Sequence, residues 1–276
     1  MNKIGVSFMS GLRSVTIGTC DMMSTKALFK DIVGMNIVDK NNALRFGDAN
    51  LSPGTRLHFV EVPHSDYRNQ HIASVGFRTP TDEGLIEYQE IFKSHNITFG
   101  DMSELNGHKH FNFMDKNQQI FDIYSNEHNV GIQLGMPDFD SSVNPLHQVQ
   151  GLGPVILQVN ELSVTASLLT HVFGLHHFAE YESSEFENKK IQVFKIGDGG
   201  LGGEIHLYQA EPQIEMTEEG VVEQVEFATQ DVQQFNQALS DLKEIGVPYQ
   251  TLNQGDVKSI RITENSGISF IYTLEN

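Results

Sequence analysis

Histidine and carboxylate side chains, which bind divalent metals and transfer protons, are the groups in this sequence most suited to chemistry. The chain of 276 residues has 12 histidines and 36 acidic residues. His108 and His110 are two residues apart, so on a strand both would lie on one face and could chelate a metal. We favour an exposed edge strand, because spacing alone does not make a site. His176 and His177 are adjacent, would point to opposite faces of a strand and are not expected to share a ligand.

Other patterns have simpler structural explanations. Residues 197–202 (Gly-Asp-Gly-Gly-Leu-Gly) fit the G-x-G-x-x-G pattern of dinucleotide sites. A strand rather than a helix is predicted to follow, so we interpret them as a turn. Cys20 lies at a predicted strand-to-helix junction, where a thiol can become reactive, although we favour a buried, inert side chain. The sequence contains no G-x-S-x-G, H-E-x-x-H or phosphate-binding-loop motif.

Composition and charge exclude several classes of protein. Lys and Arg total 18 against 36 Asp and Glu, which gives a formal net charge of −18 at pH 7. Such a charge repels phosphate backbones and anionic lipids, so we expect neither a nucleic-acid nor a membrane partner. A single cysteine excludes an intrachain disulfide and a cysteine-based zinc site. These features, together with the lack of a long apolar run, predict a cytoplasmic protein without a secretory signal.

Internal repeats indicate four similar units. Residues 15–34 match residues 155–174, and each segment reads as a strand, a helix and a glycine at the helix end. Residues 75–121 match residues 225–270 in the same way. We therefore predict an α+β fold of four βαβββ modules in two halves, with curved mixed sheets around clefts and helices outside.

The repeats also predict the organisation of the chain. Helices are expected over residues 82–95 and 231–245. The last strand of each module alternates in polarity, so that one face is buried and the other lines a cleft; these strands are predicted over residues 56–62, 120–125, 203–209 and 267–273. The predicted parts are a first half (1–126, with modules 12–63 and 71–126), a linker (127–150) and a second half (151–276, with modules 151–210 and 220–275).

Four such modules resemble the vicinal oxygen chelate superfamily of glyoxalases, bleomycin-resistance proteins and extradiol dioxygenases. The sequence blocks that carry the resemblance are residues 46–63, 151–155, 197–206 and 258–267. Within the superfamily the chain is most similar to bacterial ring-cleaving dioxygenases of the hydroquinone-resistance type, from Leu12 onward. If the chain is an enzyme, the resemblance implies an extradiol-type ring-cleaving dioxygenase or a glyoxalase-like lyase.

The resemblance also implies a divalent metal held by two histidines and one carboxylate. This chain has Ser14 and Gln224 at the positions of the two histidines, and Ile271 at the position of the carboxylate. A hydroxyl and an amide are weak, neutral ligands, and isoleucine has no donor atom. We therefore expect the inherited metal site to be missing and the protein to need no cofactor.

Relocated ligands are the alternative. The repeats place His58, Asp122 and His206 at positions equivalent to Ile271. Asp122 and His206 are the better pair for Fe²⁺ or Mn²⁺, although a third ligand would have to come from elsewhere. The residues expected to line the clefts are Ser14, His58, Gln224 and Ile271 if units one and four pair, and Ser74, Asp122, Pro154 and His206 if units two and three pair.

Three functional hypotheses follow. The first is metal-independent binding of a small aromatic or quinone-like molecule in a cleft that has lost its metal. The second is a metal-dependent dioxygenase or lyase with ligands at Asp122 and His206. The third is a structural or interaction protein whose cleft is filled by side chains. Exposed strand edges in such folds also favour pairing into a homo-oligomer.

Overall fold

The computed structural model describes residues 11–63, 67–215, 221–254 and 257–275. Unit one consists of β1 (Gly11–Thr19), α1 (Met22–Lys26) with a π-helical continuation (Ala27–Ile32), β2 (Asn36–Lys40), β3 (Ala43–Gly47) and β4 (Arg56–Glu61). Unit two consists of β5 (Ile72–Thr79), α2 (Asp82–Ser94), β6 (Ser103–Leu105), β7 (His108–Met114) and β8 (Ile120–Ser125).

The second half repeats this order. Unit three consists of β9 (Gly151–Val159), α3 (Leu162–Ser167) with a π-helical continuation (Leu168–Val172), β10 (His176–Ser183), β11 (Lys189–Lys195), a 3₁₀ turn (Leu201–Gly203) and β12 (Glu204–Gln209). Unit four consists of β13 (Gln224–Thr229), α4 (Val232–Ile245), β14 (Gln250–Gln254), β15 (Val257–Thr263) and β16 (Ser269–Leu274). The two predicted helices and the last strand of each unit agree with these bounds to within two residues, and the glycine-rich segment forms a turn, as expected.

Two mixed, curved sheets of eight strands each combine one unit from either half of the chain. Sheet A has the order β14-β15-β16-β13-β1-β4-β3-β2 and joins units one and four. Sheet B has the order β10-β11-β12-β9-β5-β8-β7-β6 and joins units two and three. The predicted α+β fold of four modules is therefore confirmed. The boundaries of the two halves and the linker stay a prediction.

Helix α4 illustrates how the sequence determines where a helix begins, where it ends and which side it buries. The Asp231 side chain accepts hydrogen bonds from the first backbone N–H groups of the helix, and Gly246 ends it with a φ of 73°. Phe235, Ala238 and Leu242 recur at helical spacing and are buried. One stripe of the helix thus packs on the core face of sheet A, and the other stripe faces solvent.

One hydrophobic core lies between the two sheets. Phe29 of unit one is at its centre, with its ring centroid 5.0 Å from Phe59 of sheet A and 5.0 Å from Phe121 of sheet B. Alternate residues of each strand point into this core, so the remaining residues lie on the opposite face of each sheet. We call these two opposite faces cleft A and cleft B.

Arg78 on β5 is a fully buried cation whose hydrogen bonds link sheet B to residues 126–133. Its guanidinium donates to the carbonyl oxygens of Leu152 at 2.6 Å and Ile132 at 2.7 Å, to Gln133 O at 3.3 Å and to Asn126 Oδ1 at 3.0 Å. In the described part of the chain no carboxylate pairs with it, so carbonyl dipoles alone solvate the charge. Burial lowers the pKa of Arg78 to about 10, which leaves it charged at neutral pH.

Two glycines make room for this guanidinium. A Cβ at Gly151 would lie 2.6 Å from Arg78 Nη2, and a Cβ at Gly202 would lie 2.7 Å from the same atom. Any larger residue at either position would push the guanidinium away from its acceptors.

Glu223 and His71 form a buried link between the sheets, next to the starts of β13 and β5. The Glu223 carboxylate accepts from the backbone N–H groups of His71 at 2.9 Å and Ile72 at 2.7 Å, and from His71 Nδ1 at 2.9 Å. His71 Nε2 lies 2.6 Å from Ser266 O. Burial lowers the pKa of His71, but the hydrogen bonds and charge of Glu223 and the Ser266 carbonyl outweigh it, so the pKa is raised above 6.5.

We predict that Arg78→Met lowers the free energy of unfolding by about 3 kcal/mol or more, because it leaves the buried carbonyl oxygens of Leu152 and Ile132 without their guanidinium donor. Urea unfolding followed by circular dichroism measures the change. Arg68→Met, at an exposed position, is the matched control and should lie within about 0.5 kcal/mol of wild type. Equal stabilities for the two variants would contradict the assigned role of Arg78.

We predict that the stability difference between the wild type and His71→Gln depends on pH. A raised folded pKa means that the charged pair stabilises the protein fully below 6.5 and loses this contribution as pH rises through the folded value. The difference in free energy of unfolding should therefore shrink as the pH rises from ~6 to ~9. A difference that grows with pH would show that His71 is neutral in the native state.

Candidate functional site

Cleft A has a floor of two rows of side chains that cross the centre of sheet A. The strand register places in one row Arg45, His58, Thr16, Gln224 and Ser269. It places in the next row Arg56, Ser14, Glu226, Ile271 and Arg261. The four residues expected here from the sequence therefore lie on one face, with Ser14 and Ile271 on either side of Glu226.

Glu226 is the carboxylate at the centre of this floor, and neighbouring side chains already engage it. Ser14 Oγ donates to Oε2 at 2.7 Å, and Thr273 Oγ1 donates to Oε1 at 2.8 Å. Arg13 Nε lies 3.0 Å from Oε1, and the same guanidinium pairs with Glu275. A shift in the β1–β13 register inserts Arg13 here as an extra residue. A guanidinium thus supplies the positive charge beside the carboxylate.

These donors do not suit the divalent metal that the resemblance implies. Ile271 has no ligand atom, the Ser14 hydroxyl donates its proton to Glu226, and Gln224 offers a neutral amide. Among residues 11–63, 67–215, 221–254 and 257–275, no group of three or more His, Cys, Asp or Glu side chains is placed to hold a metal ion. The chemistry of cleft A therefore depends on hydroxyl, amide, carboxylate and guanidinium groups.

Arginines surround His58 on the floor of cleft A. Arg45 is its direct neighbour on β3, and Arg56 lies two residues before it on β4. Burial, together with the positive charges of Arg45 and Arg56, lowers the pKa of His58 to about 4. The imidazole is therefore neutral at physiological pH and can accept or donate a hydrogen bond.

Sequence reasoning missed the charged residues of cleft A. They are Arg13, Arg45, Arg56, Glu226 and Arg261. The two-residue alternation could have found most of them, because Arg56 precedes His58 by two positions and Glu226 follows Gln224 by two. Arg13 could not be found in this way, since it occupies its position only because of the irregular register.

Asp122 is at the centre of cleft B and is 1% exposed. It accepts a short hydrogen bond from Ser74 Oγ, and His110 Nδ1 lies 3.1 Å from Oδ1. The interpretation of the His108–His110 segment as an exposed edge strand is wrong, because β7 lies between β6 and β8. The edge is β6, and the ring of His110 stacks on Tyr124 at a centroid distance of 4.6 Å.

His206 in cleft B is 1% exposed and uses both ring nitrogens. Nδ1 lies 3.0 Å from the Tyr181 hydroxyl, and Nε2 lies 3.1 Å from Glu204 Oε2. Lys195 Nζ in turn lies 3.5 Å from Glu204 Oε1. Asp122 and His206 thus have separate sets of partners, and neither presents a free ligand atom to a shared metal.

Apolar side chains fill much of cleft B. These side chains form one hydrophobic cluster, which consists of Ala73, Ile156, Tyr181, Phe186, Ile191 and Tyr208. Pro154 is also buried. A cavity of about 210 Å³ remains, which Tyr181, Glu204 and His206 help to line. The floor of cleft B is therefore more apolar than that of cleft A, where Arg45 is exposed and Gln224 and Ile271 are half-buried.

Glu185, between β10 and β11, adds a second carboxyl group to the rim of cleft B. It accepts a short hydrogen bond from the Asn112 side chain. Burial and the nearby charge of Asp122 raise the pKa of Glu185 to about 7, against the lowering effects of Asn112 and His110. A carboxyl that titrates near neutrality beside a charged one can transfer protons at physiological pH.

The remaining candidate residues from the sequence do not assemble a site. His176 and His177 are exposed on β10, and His177 Nε2 lies 3.7 Å from Glu180. Cys20 is half-buried, with its thiol donating to Asn117 Oδ1 at 3.2 Å. In the part of the chain that is described, no helix is both long and apolar enough to cross a bilayer.

Comparison with known proteins finds one relative by sequence and several solved structures with a similar fold. The chain is 28% identical over 214 residues to MhqA of Bacillus subtilis strain 168, a candidate ring-cleaving dioxygenase by its name; the match covers 72% of this chain and 66% of that protein, slightly less than two thirds of its length. A solved structure of a candidate dioxygenase from Bacillus subtilis has a TM-score of 0.76 at 16% identity, covering 96% of this chain and 85% of the other. Glyoxalase I from Zea mays has a TM-score of 0.62 at 12% identity, with coverages of 96% and 92%. No family model matches.

The two eight-stranded sheets built from four βαβββ units have the fold of these dioxygenase and glyoxalase structures, which is that of the vicinal oxygen chelate superfamily. Within the superfamily the chain resembles the ring-cleaving dioxygenases, as the similarity to MhqA shows. The resemblance predicted from the sequence is therefore confirmed.

We predict that Asp122→Asn lowers the pKa of Glu185, because it removes the neighbouring charge that raises it. The pKa can be followed by carbon NMR of the labelled Glu185 carboxyl. Wild type should titrate at about 7, and the variant should titrate at a lower pH, because burial still raises the pKa of Glu185 but the charge of Asp122 no longer does. Lys190→Gln, at an exposed position outside this contact, is the control. An unchanged titration in Asp122→Asn would show that the two carboxyls do not interact.

Proposed function

We propose that this chain is a metal-independent binding protein whose cleft A holds a small aromatic or quinone-like molecule. The observation that carries the proposal is the Arg13–Glu226 pair. The central carboxylate of the cleft has a built-in counter-ion at 3.0 Å and two hydroxyl donors. It has no need of a metal to balance its charge.

Two apolar surfaces in cleft A suit the ring of a flat aromatic ligand. Ile271 is half-buried in the second row and offers an apolar contact where the superfamily has a charged ligand. The ring of Tyr67 lies over Gly18 of β1, where an added Cβ would be 2.6 Å from its Cε1. Burial and the charge of Glu223 raise the pKa of Tyr67, so the phenol stays neutral. A neutral aromatic ring at the end of a cleft favours stacking with another ring.

The two alternatives, a dioxygenase with relocated ligands and an interaction protein, require different features of the clefts. A dioxygenase with relocated ligands needs free donor atoms on Asp122 and His206, whose polar atoms are engaged by Ser74, His110, Tyr181 and Glu204. An interaction protein with filled clefts fits cleft B better than cleft A. Both observations support small-molecule binding in cleft A.

We predict that catechol or methylhydroquinone binds saturably with excess chelator present, and that added Fe²⁺ or Mn²⁺ does not tighten binding. Isothermal titration calorimetry measures the affinity. Ile271→Asp should weaken it about tenfold, or about 1.4 kcal/mol, by placing a charge under the ring. Val164→Asp, on the exposed surface of α3, is the matched control and should bind like wild type.

Elemental analysis of protein purified without chelator after growth with added Fe²⁺ and Mn²⁺ completes the test. The proposal expects far less than one metal per chain. A stoichiometric metal that is lost in both Asp122→Ala and His206→Ala would replace the proposal with the relocated-ligand dioxygenase.

A further inference from the structure

Cleft A carries positive charge on a strongly acidic protein. The chain has a formal net charge of −18 and contains six arginines. Four of them lie on or beside the floor of cleft A: Arg13, Arg45, Arg56 and Arg261. A concentration of arginine in one concave region, opposite in sign to the whole chain, indicates a region that attracts anions.

Among the described residues, only Arg13 of these four forms ion pairs within the protein, with Glu226 and Glu275. In the described part of the chain, no carboxylate lies within 4.0 Å of Arg45, Arg56 or Arg261. Arg56 Nε donates to Leu51 O. Because the ion pairs of this region do not neutralise these guanidinium groups, their terminal nitrogens are available to a ligand.

The register places Arg45 and Arg56 at the spacing that one carboxylate needs. Arg45 on β3 is paired with His58 on β4, and Arg56 is two residues before His58 on the same face. Diagonal neighbours of this kind have Cβ atoms about 7–8 Å apart, which long arginine side chains can span to reach one anion. Arginine binds carboxylates with two parallel N–H donors, so a pair of them gives a specific recognition element.

His58 strengthens this arrangement. It lies between the two arginines and has no hydrogen-bond partner within the described residues. A polar ring that is half-buried without a partner is satisfied when a ligand oxygen or hydroxyl reaches it.

We propose that the ligand of cleft A carries a carboxylate, which Arg45 and Arg56 bind while its aromatic ring lies over Ile271. This inference rests on the proposed function and adds the chemical class of the ligand, an aromatic acid. The row that holds Arg56 also holds Ser14, Glu226 and Ile271. A carboxylate near Arg56 therefore directs the rest of the ligand along the row, past Ser14 and over Glu226, whose charge Arg13 balances.

The test compares benzoate with benzamide, which has the same shape and no charge, by isothermal titration calorimetry in chelator. Benzoate should bind at least about tenfold more tightly, and the preference should fall as salt is raised from ~50 to ~500 mM. Arg45→Gln should remove most of the preference. Because Arg45 is exposed, this variant is expected to fold, and Arg56→Gln provides the second test. Lys243→Gln, which removes one exposed charge from the last turn of α4, is the control and should keep the preference.

The outcomes separate this inference from the proposed function. If benzamide binds as tightly as benzoate in chelator, or Arg45→Gln and Arg56→Gln both keep the preference, the carboxylate inference is wrong and metal-independent binding stands. If benzoate binds only after a metal is added, yet still needs Arg45, metal independence is wrong and the carboxylate inference stands. If neither compound binds saturably under any condition, both are wrong.

Discussion

The fold depends on one buried cation that no carboxylate of the described residues pairs with. Arg78 is 0% exposed and is solvated by carbonyl oxygens from β9 and the linker and by one asparagine side chain. Burying a guanidinium in this way is costly unless every donor is satisfied. The guanidinium holds residues 126–133 against β5 and β9, and Gly151 and Gly202 leave the space that it occupies.

The arrangement of the two sheets determines which of their faces a ligand can reach. Each sheet places one face in the shared core around Phe29, so its other face is the only one available to a ligand. The two clefts then differ through local packing. Tyr208 and Ile156 bury apolar area in cleft B, whereas polar and charged residues join in hydrogen bonds and ion pairs on the floor of cleft A. The same module thus gives one cleft with an apolar floor and one with a polar, charged floor.

The fold could be predicted from the sequence because it is repeated. Four copies of one pattern fix the module, and the polarity of the last strands fixes which face is buried. The positions of Ser14, Gln224 and Ile271 followed from the resemblance to the superfamily. Their neighbours across the sheet could not be predicted, because the partner of a strand residue depends on the strand register. Arg13 lies in the cleft only because the β1–β13 register shifts at that residue. The edge-strand interpretation of His110 failed for a related reason, since β6 is three residues long and leaves little pattern in the sequence.

Under the proposed function, a guanidinium takes the place of a metal and changes what cleft A can recognise. A divalent ion binds neighbouring oxygens by coordination and can activate them, whereas arginine offers directed donors and a fixed charge. Arg13 neutralises Glu226, so the floor is balanced without a ligand, and the charge of Arg45 and Arg56 is left for an incoming group. A site of this kind selects ligands by their charge and shape rather than by their ability to coordinate. In a chain with a net charge of −18, a cleft lined by arginines is a place where a small anion is attracted rather than repelled.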